Sequence, residues 1–228
     1  GNGDDRLLGG RSASSLSGES GNDSLSGAYG NDLFDGGADS DVVLAVDDFD
    51  FRLTDTQLTG MGTDTLVSIE QAQITGGSGG NRLDAGLFSG SVTLLGLGGA
   101  DTLEGGSGDD SLAGGADDDV IRARDGRDTL EGDAGDDLLD GGSGHDSRLG
   151  ADRYIEVLGS TDTLVGDGLD VLDFSGTGHA LHLNLSLKNA EHQVADTAGN
   201  GVVLMGEFHT LIGSAFDDTL IGGAGDDL

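Results

Sequence analysis

The chain has 228 residues, with 43 acidic against 10 basic side chains for a formal charge of −33, and it holds 45 glycines but no cysteine and no proline. That charge excludes nucleic acid as a partner, the lack of cysteine excludes a disulfide framework or thiolate metal site, and no apolar run reaches the ~18 residues of a membrane span. Such a chain repels itself, yet 35% of its residues are hydrophobic and recur at regular intervals, so burial waits on something that cancels charge: a cation.

Residues 1–44 repeat the nonapeptide G-G-x-G-x-D-x-U-x, where U is a large apolar residue. The aspartate slot holds Asp5, Ser14, Asp23, Asp32 and Asp41, and the U slot holds Leu7, Leu16, Leu25, Phe34 and Val43. Ser12 and Ser14 replace a glycine and the aspartate of one loop, which weakens the column pairing 14 with 32. Asp39 stands where a loop glycine is expected, as does Asp117 later, and each strains or reshapes its turn. Over 45–95 the period loosens. Phe49, Phe51 and Leu53 alternate with polar residues, the signature of longer strands that widen the coil, and a single repeat at 76–84, "GGSGGNRLD", puts Asn81 in the aspartate slot.

The block 96–146 keeps phase through Asp101, Asp110, Asp119, Asp128, Asp137 and Asp146, with Leu103, Leu112, Ile121, Leu130 and Leu139 at U. Over 147–212 the coils become irregular and wider. Arg148 falls in a U slot, so the register must end or shift there and "RLGADRYIEV" forms a bulged coil. Leu181, Leu183, Leu185 and Leu187 share one strand face, and His209 takes an aspartate slot. A further block begins at 213–228 with Asp218 and Asp227. The expectation is one continuous solenoid, cut from a longer protein.

The repeat has a mechanical meaning. G-G-x-G-x-D is a turn whose glycines supply positive φ, and x-U-x is a short strand with U on one face. Two nonapeptides make one coil, so U residues stack into a thin core and carboxylates stack in two columns at spacing 18. Bare carboxylates ~4 Å apart repel by ~4 kcal/mol at an effective dielectric of 20. A hard divalent ion reverses that sign. Calcium takes six to eight oxygens in flexible geometry, which two carboxylates and glycine-exposed carbonyls can offer, whereas magnesium wants a tight octahedron and zinc prefers nitrogen and sulfur.

"GGSGDDSLA", "GDAGDDLLD" and "GGAGDDL" resemble the nonapeptides of the RTX (repeats-in-toxin) calcium-binding family. The resemblance implies an all-β parallel β-roll or parallel β-helix solenoid with stacked calcium-binding loops and several calcium ions. It implies a secreted bacterial protein, extracellular or at the cell surface, that folds on calcium after type I export. The implied side-chain ligands are Asp5, Asp23, Asp32, Asp41, Asp101, Asp110, Asp119, Asp128, Asp137, Asp146, Asp218 and Asp227. Asn81 retains an oxygen in its slot, and carbonyls of Gly105, Gly106 and Gly108 complete shells.

Catalytic signals are weak beside this. "GGSGG" at 76–80 fits a nucleophile pattern but lies in phase with the repeat and reads as a turn. His145, His179, His182, His192 and His209 have no matching spacing, and Arg122, Arg124 and Arg127 read as local ion pairs with Asp119, Asp125 and Asp128. The chain is therefore expected to have no enzyme activity of its own. It serves as a calcium-folded scaffold, with a surface-layer or adhesin stalk, or the C-terminal module of a peptidase, lipase or polysaccharide-modifying enzyme, as alternatives. Partners are calcium, possible self-association, and the rest of a larger secreted protein. An ice-binding face is disfavoured, because the slot before U mixes Arg6, Ser15, Ser24, Leu33 and Val42 with Thr102, Ser111, Val120, Thr129 and Leu138.

Overall fold

Among the residues that the computed structural model describes, 1–142, 153–155, 161–174, 182–184, 192–194 and 201–221, every regular element is a strand. In chain order these are β1 (Arg6–Leu8), β2 (Ser15–Ser20), β3 (Ser24–Ser26), β4 (Leu33–Ala38), β5 (Val42–Val46), β6 (Phe51–Thr54), β7 (Gln57–Thr59), β8 (Thr63–Val67), β9 (Gln71–Thr75), β10 (Arg82–Leu87) and β11 (Ser91–Gly98). Then come β12 (Thr102–Glu104), β13 (Ser111–Ala116), β14 (Val120–Arg122), β15 (Thr129–Ala134), β16 (Leu138–Asp140), β17 (Arg153–Ile155), β18 (Thr161–Asp173), β19 (His182–Asn184), β20 (His192–Val194), β21 (Gly201–Ile212) and β22 (Thr219–Ile221).

The strands alternate between two parallel ladders, as a coil of two nonapeptides requires. One ladder runs β1, β3, β5, β9, β11, β13, β15, β17. The other joins β2 to β4 and, beyond an interruption, β10 to β12, β14, β16 and β18. Within both nonapeptide blocks the register is 18: Leu7 faces Leu25, Leu16 faces Phe34, Leu103 faces Ile121 and Leu112 faces Leu130. Each U side chain therefore stacks on the U of the next coil. Leu25, Phe34, Val43, Leu103, Leu112, Ile121, Leu130 and Leu139 are all fully buried, and Leu7 and Leu16 of the first coil are partly so. Burial of each contributes ~1.5–3 kcal/mol. A three-residue strand has no stability alone, so the fold holds together coil upon coil.

The expected longer strands after residue 48 are instead three short ones. β7 pairs antiparallel with both β6 and β8, while β8 lies parallel on β4 and β6 parallel on β10. The second ladder thus passes β4, β8, β7, β6, β10, with the meander reversed relative to chain order. Its first turn is held by Thr54, whose Oγ1 accepts from the amides of Thr56 and Gln57, a local bond that competes with strand continuation. Phe51, Leu53, Leu58 and Leu66 fill the core there, whereas Phe49 is outside the strand and exposed. On the first ladder β5 meets β9 directly, Val42 facing Gln71.

After β16 the register lengthens: Thr129 faces Arg153 and Leu138 faces Thr163, offsets of 24 and 25. This is the register shift expected near Arg148, which itself lies outside the described residues. Arg153 then faces Val171, returning to 18. β18 serves both ladders and pairs along its length with β21, on which β20 lies antiparallel. Leu183 lies in β19, paired with β22, while Leu181, Leu185 and Leu187 fall outside the described residues.

Candidate metal centre

The loop from Gly114 to Asp119 shows why the motif has its form, and its glycines turn out to do two different things. Gly115 sits at φ +118° and Asp117 at φ +77°, so the second and fourth slots need the left-handed region that only glycine reaches freely. Asp117, like Asp39 at φ +79°, adopts that strained conformation in place of glycine, as expected from the sequence. Gly114 is required for space instead: a Cβ there would collide with Asp119 Oδ2 and lie 2.8 Å from its Cγ. The aspartate tucks its carboxylate under the first glycine of its own loop.

The same arrangement recurs along both columns. Asp23 accepts on Oδ1 from the amide of Asp5 at 2.7 Å, and Asp41 likewise from Asp23 at 2.8 Å. Asp32 accepts from Ser14, Asp101 from Asn81, Asp119 from Asp101, Asp128 from Asp110 and Asp137 from Asp119, all at 2.6–2.8 Å. Each slot aspartate thus clamps the amide of the equivalent slot one coil earlier. The other oxygen is different. Oδ2 of Asp23, Asp32, Asp41, Asp101 and Asp119 is buried with no hydrogen-bond donor, in residues no more than 3% exposed.

Beside Asp23, Asp41 and Asp101 the next coil adds a carbonyl oxygen. The space under Gly18 contains Asp23 Oδ2 and, 2.5 Å from where a Cβ would stand, the carbonyl of Gly36 in the next coil. Gly96 repeats this with Asp101 Oδ2 and the carbonyl of Gly114, and Gly105 with Asp110 Oδ2 and the carbonyl of Ala123. Burial pushes Asp119 up to about 7 and Asp110 and Asp137 to about 6, and it raises Asp41 and Asp101 as well. For Asp119 the neighbouring Asp137, Asp101 and Asp117 push in the same direction, against the lowering by the Asp101 amide. Unpaired buried carboxylates facing carbonyls are costly unless a cation joins them, and an all-oxygen donor set suits a hard ion such as calcium. Among the described residues no three His, Cys, Asp or Glu side chains cluster closely enough to hold a metal by themselves, so any ion here must draw on backbone carbonyls.

Other slots are arranged differently. Asp110 Oδ2 accepts from the Gly106 amide at 2.7 Å, Asn81 Oδ1 from Gly77 at 2.9 Å, and Asp218 Oδ2 from Ser214 at 2.8 Å. Ser14 Oγ accepts from Gly10 at 3.3 Å. In these loops an N–H four residues earlier points at the slot side chain. At Asp110 the second-slot residue Gly106 lacks the positive φ of Gly115, and its N–H is turned onto Oδ2. Asn81 donates its amide to Asp48 Oδ1 at 3.1 Å, and Asp48 also accepts from Ser78 and Gly79. That carboxylate closes the loop carrying the Gly-x-Ser-x-Gly pattern. Asp5, at the first coil, is part-exposed and pairs with the amino terminus. Asp146 and Asp227 lie outside the described residues.

Two slots escaped sequence reading. The amide of Asp32 donates to Asp64 Oδ1 at 2.9 Å and that of Asp41 to Glu70 Oε2 at 3.0 Å. The signal for the first was present: "GMGTDTLV" is a repeat displaced from the phase of its neighbours. Glu70 carried none, since its loop is three residues short. The arginines also differ from expectation. Arg124 pairs with Glu104 and Arg127 with Asp109, 20 and 18 residues away in adjacent coils, rather than with flanking aspartates, because lateral stacking brings other coils nearer than chain neighbours. Arg82 also pairs with Glu104 and Asp84.

Residues 1–28, 13–43, 89–121, 113–147 and 210–228 match the family described as RTX calcium-binding nonapeptide repeat (4 copies). No curated protein matches the chain. Among solved structures, that of the extracellular lipase LipA from Serratia marcescens is similar at 16% identity and a TM-score of 0.30, covering 90% of this chain and 36% of the lipase. The chain thus spans about a third of the length of that protein. Among the described residues no helix is long and apolar enough to cross a membrane.

Proposed function

The chain belongs to the RTX calcium-binding nonapeptide repeat family, and from that premise we propose that it is a calcium-folded scaffold that works outside the cell and has no catalytic activity of its own. The observation that carries this reading is the row of buried aspartate oxygens without donors at Asp23, Asp32, Asp41, Asp101 and Asp119, each facing carbonyl oxygen or glycine backbone. Bound there, calcium supplies the positive charge that these oxygens lack and ties each coil to the next.

The chain's own residues do the rest. Oδ1 of each slot aspartate fixes the previous coil through its amide, which orients Oδ2 into the loop. The first glycine leaves room for that oxygen, and the second and fourth turn the backbone so that carbonyls converge. Asp128 and Asp137 belong to the same columns, and Asp146, Asp218 and Asp227 are proposed as ligands from their place in the repeat alone. Asp110, with Gly105, Gly106 and Gly108, and Asn81 take part only after their loop amides turn away from the slot side chain. Sites of the extracellular type bind at ~10⁻⁴–10⁻³ M, so cytosolic calcium leaves them empty and mass action favours the fold only after export. Attachment to further segments of a secreted protein fits such a module.

The test is circular dichroism of the chain in chelator and in millimolar calcium, with magnesium as control. A disordered spectrum that converts cooperatively to β with calcium, and not with equal magnesium, is the expected result. A chain equally folded in chelator would overturn the proposal.

A further inference from the structure

The two columns run into a stretch, residues 45–75, where the nonapeptide phase fails. Eighteen residues beyond Asp32 lies Asp50, and eighteen beyond Asp41 lies Thr59. Neither reaches its column. Asp50 is exposed and accepts from the Arg82 amide, one position past the Asn81 slot, while Thr59 is held in β7 within the meander.

Because the meander reverses its strands, β8 rather than β6 is laid on β4, and it brings Gly62-Thr63-Asp64 over Gly30-Asn31-Asp32. The stacking follows the repeat bond for bond. Gly62 abuts the Gly30 carbonyl, the Asp32 amide donates to Asp64 Oδ1, and the Thr65 amide donates to the Asp32 carbonyl at 2.8 Å. The Val42 amide makes that last bond to the Asp23 carbonyl at 2.9 Å inside the regular block. On the other column the Asp41 amide donates to Glu70 Oε2 and the Gln71 amide to the Asp41 carbonyl at 3.0 Å. The Ser68 carbonyl abuts Gly36 just as the Gly36 carbonyl abuts Gly18. Ser68 reaches this with φ +49°, and the extra methylene of glutamate spans a loop three residues shorter than the nonapeptide.

The unsatisfied groups point to the same two places. Asp32 is 3% exposed and Asp41 fully buried, and Oδ2 of each has no donor. We propose that Asp64 and Glu70, outside the repeat phase, are metal ligands that continue the two calcium columns across the meander, Asp64 with Asp32 and Glu70 with Asp41. This rests on the calcium reading above. Its consequence is that the 1–44 and 96–146 blocks are joined by a charge-neutralised segment rather than by a metal-free spacer.

The experiment measures bound calcium per chain by equilibrium dialysis at saturation, with circular dichroism confirming the fold. Asp64→Asn and Glu70→Gln keep the acceptor oxygen for the Asp32 and Asp41 amides but remove the charge. Each should lower the ratio by one ion and the pair by two, while Asp50→Asn retains the wild-type ratio. An unchanged ratio in Asp64→Asn and Glu70→Gln, or loss in Asp50→Asn alone, overturns the inference while leaving the calcium reading intact. A wild-type chain that binds no calcium removes both. Crystals of the unmodified chain grown with calcium give a measurement free of substitutions: anomalous peaks within about 2.3–2.6 Å of Asp32 Oδ2 and Asp41 Oδ2, also reaching Asp64 and Glu70, are expected. Peaks beside Asp101 and Asp119 with none at these two positions would refute it.

Discussion

Asp119→Ala removes one acceptor and one charge from the middle of a column. The acceptor is Oδ1, which takes the buried amide of Asp101 at 2.7 Å. Stranding that donor costs about 1–3 kcal/mol. The amide of Asp119 itself still donates to Asp137, so the coil above is not unhooked. The charge is the larger loss. At a calcium concentration a hundredfold above Kd, each ion stabilises the fold by ~2.7 kcal/mol, so losing one site and the hydrogen bond together should cost ~4–6 kcal/mol. Asp119→Asn keeps an acceptor oxygen and should cost about 1–3 kcal/mol less than alanine. In chelator its sign reverses: removing a buried, unneutralised carboxylate should make the asparagine variant fold more readily than wild type. Asp5→Ala is the control, since that carboxylate is 44% exposed and pairs only with the amino terminus among the bonds described, a contact that water and salt screen. Urea denaturation at fixed calcium reads all four chains, and the β signal in circular dichroism reads how far each folds in chelator. Equal losses for Asp119→Ala and Asp5→Ala, or an asparagine variant less stable than wild type in chelator, would refute the stacked-column reasoning.

Burial holds Asp119 near 7 and Asp110 and Asp137 near 6. With folded pKa values above the unfolded 3.8, the metal-free fold binds extra protons, so its stability is highest below ~4 and falls as pH rises through 6–7. Calcium must displace those protons, so its affinity should weaken between pH 8 and pH 5; calcium titrations giving one midpoint at both pH values would contradict this. Leu97 occupies a second-slot position at φ +80° and is exposed, so Leu97→Gly should stabilise by up to ~1 kcal/mol, checked by thermal melts in calcium. Gly114→Ala should do the opposite and abolish the site beside Asp119, because a methyl there collides with Oδ2; retained calcium stoichiometry would show that the collision is avoided. Ile121→Ala opens a cavity between Leu103 and Leu139 and should cost ~2–5 kcal/mol, measured as a lower urea midpoint.

The sequence alone determined the repeating parts, because a nonapeptide encodes its own turn and strand locally. Asp101 to Asp137 and the U residues Leu103 to Leu139 could be placed on loop and core from spacing, and the register of 18 followed from two repeats per coil. What happens when the phase breaks is decided by which strands pair, and pairing is not a local property. The alternation of Phe51 and Leu53 announced a strand but not the antiparallel meander that lays β8, rather than β6, on β4. Asp64 and Glu70 come to Asp32 and Asp41 from 32 and 29 residues away. Only stacking supplies those partners, and no spacing of nine or eighteen contains them. Likewise the motif marks its glycines alike, but the tertiary packing separates them: Gly114 leaves room for an aspartate oxygen of its own loop, while Gly115 combines a positive φ with close approach to the Leu97 carbonyl of the previous coil. The difference between Asp119, with an open oxygen, and Asp110, with one already bonded to Gly106, follows the backbone at the second glycine, which has a positive φ at Gly115 and not at Gly106, although the repeat writes both as the same residue.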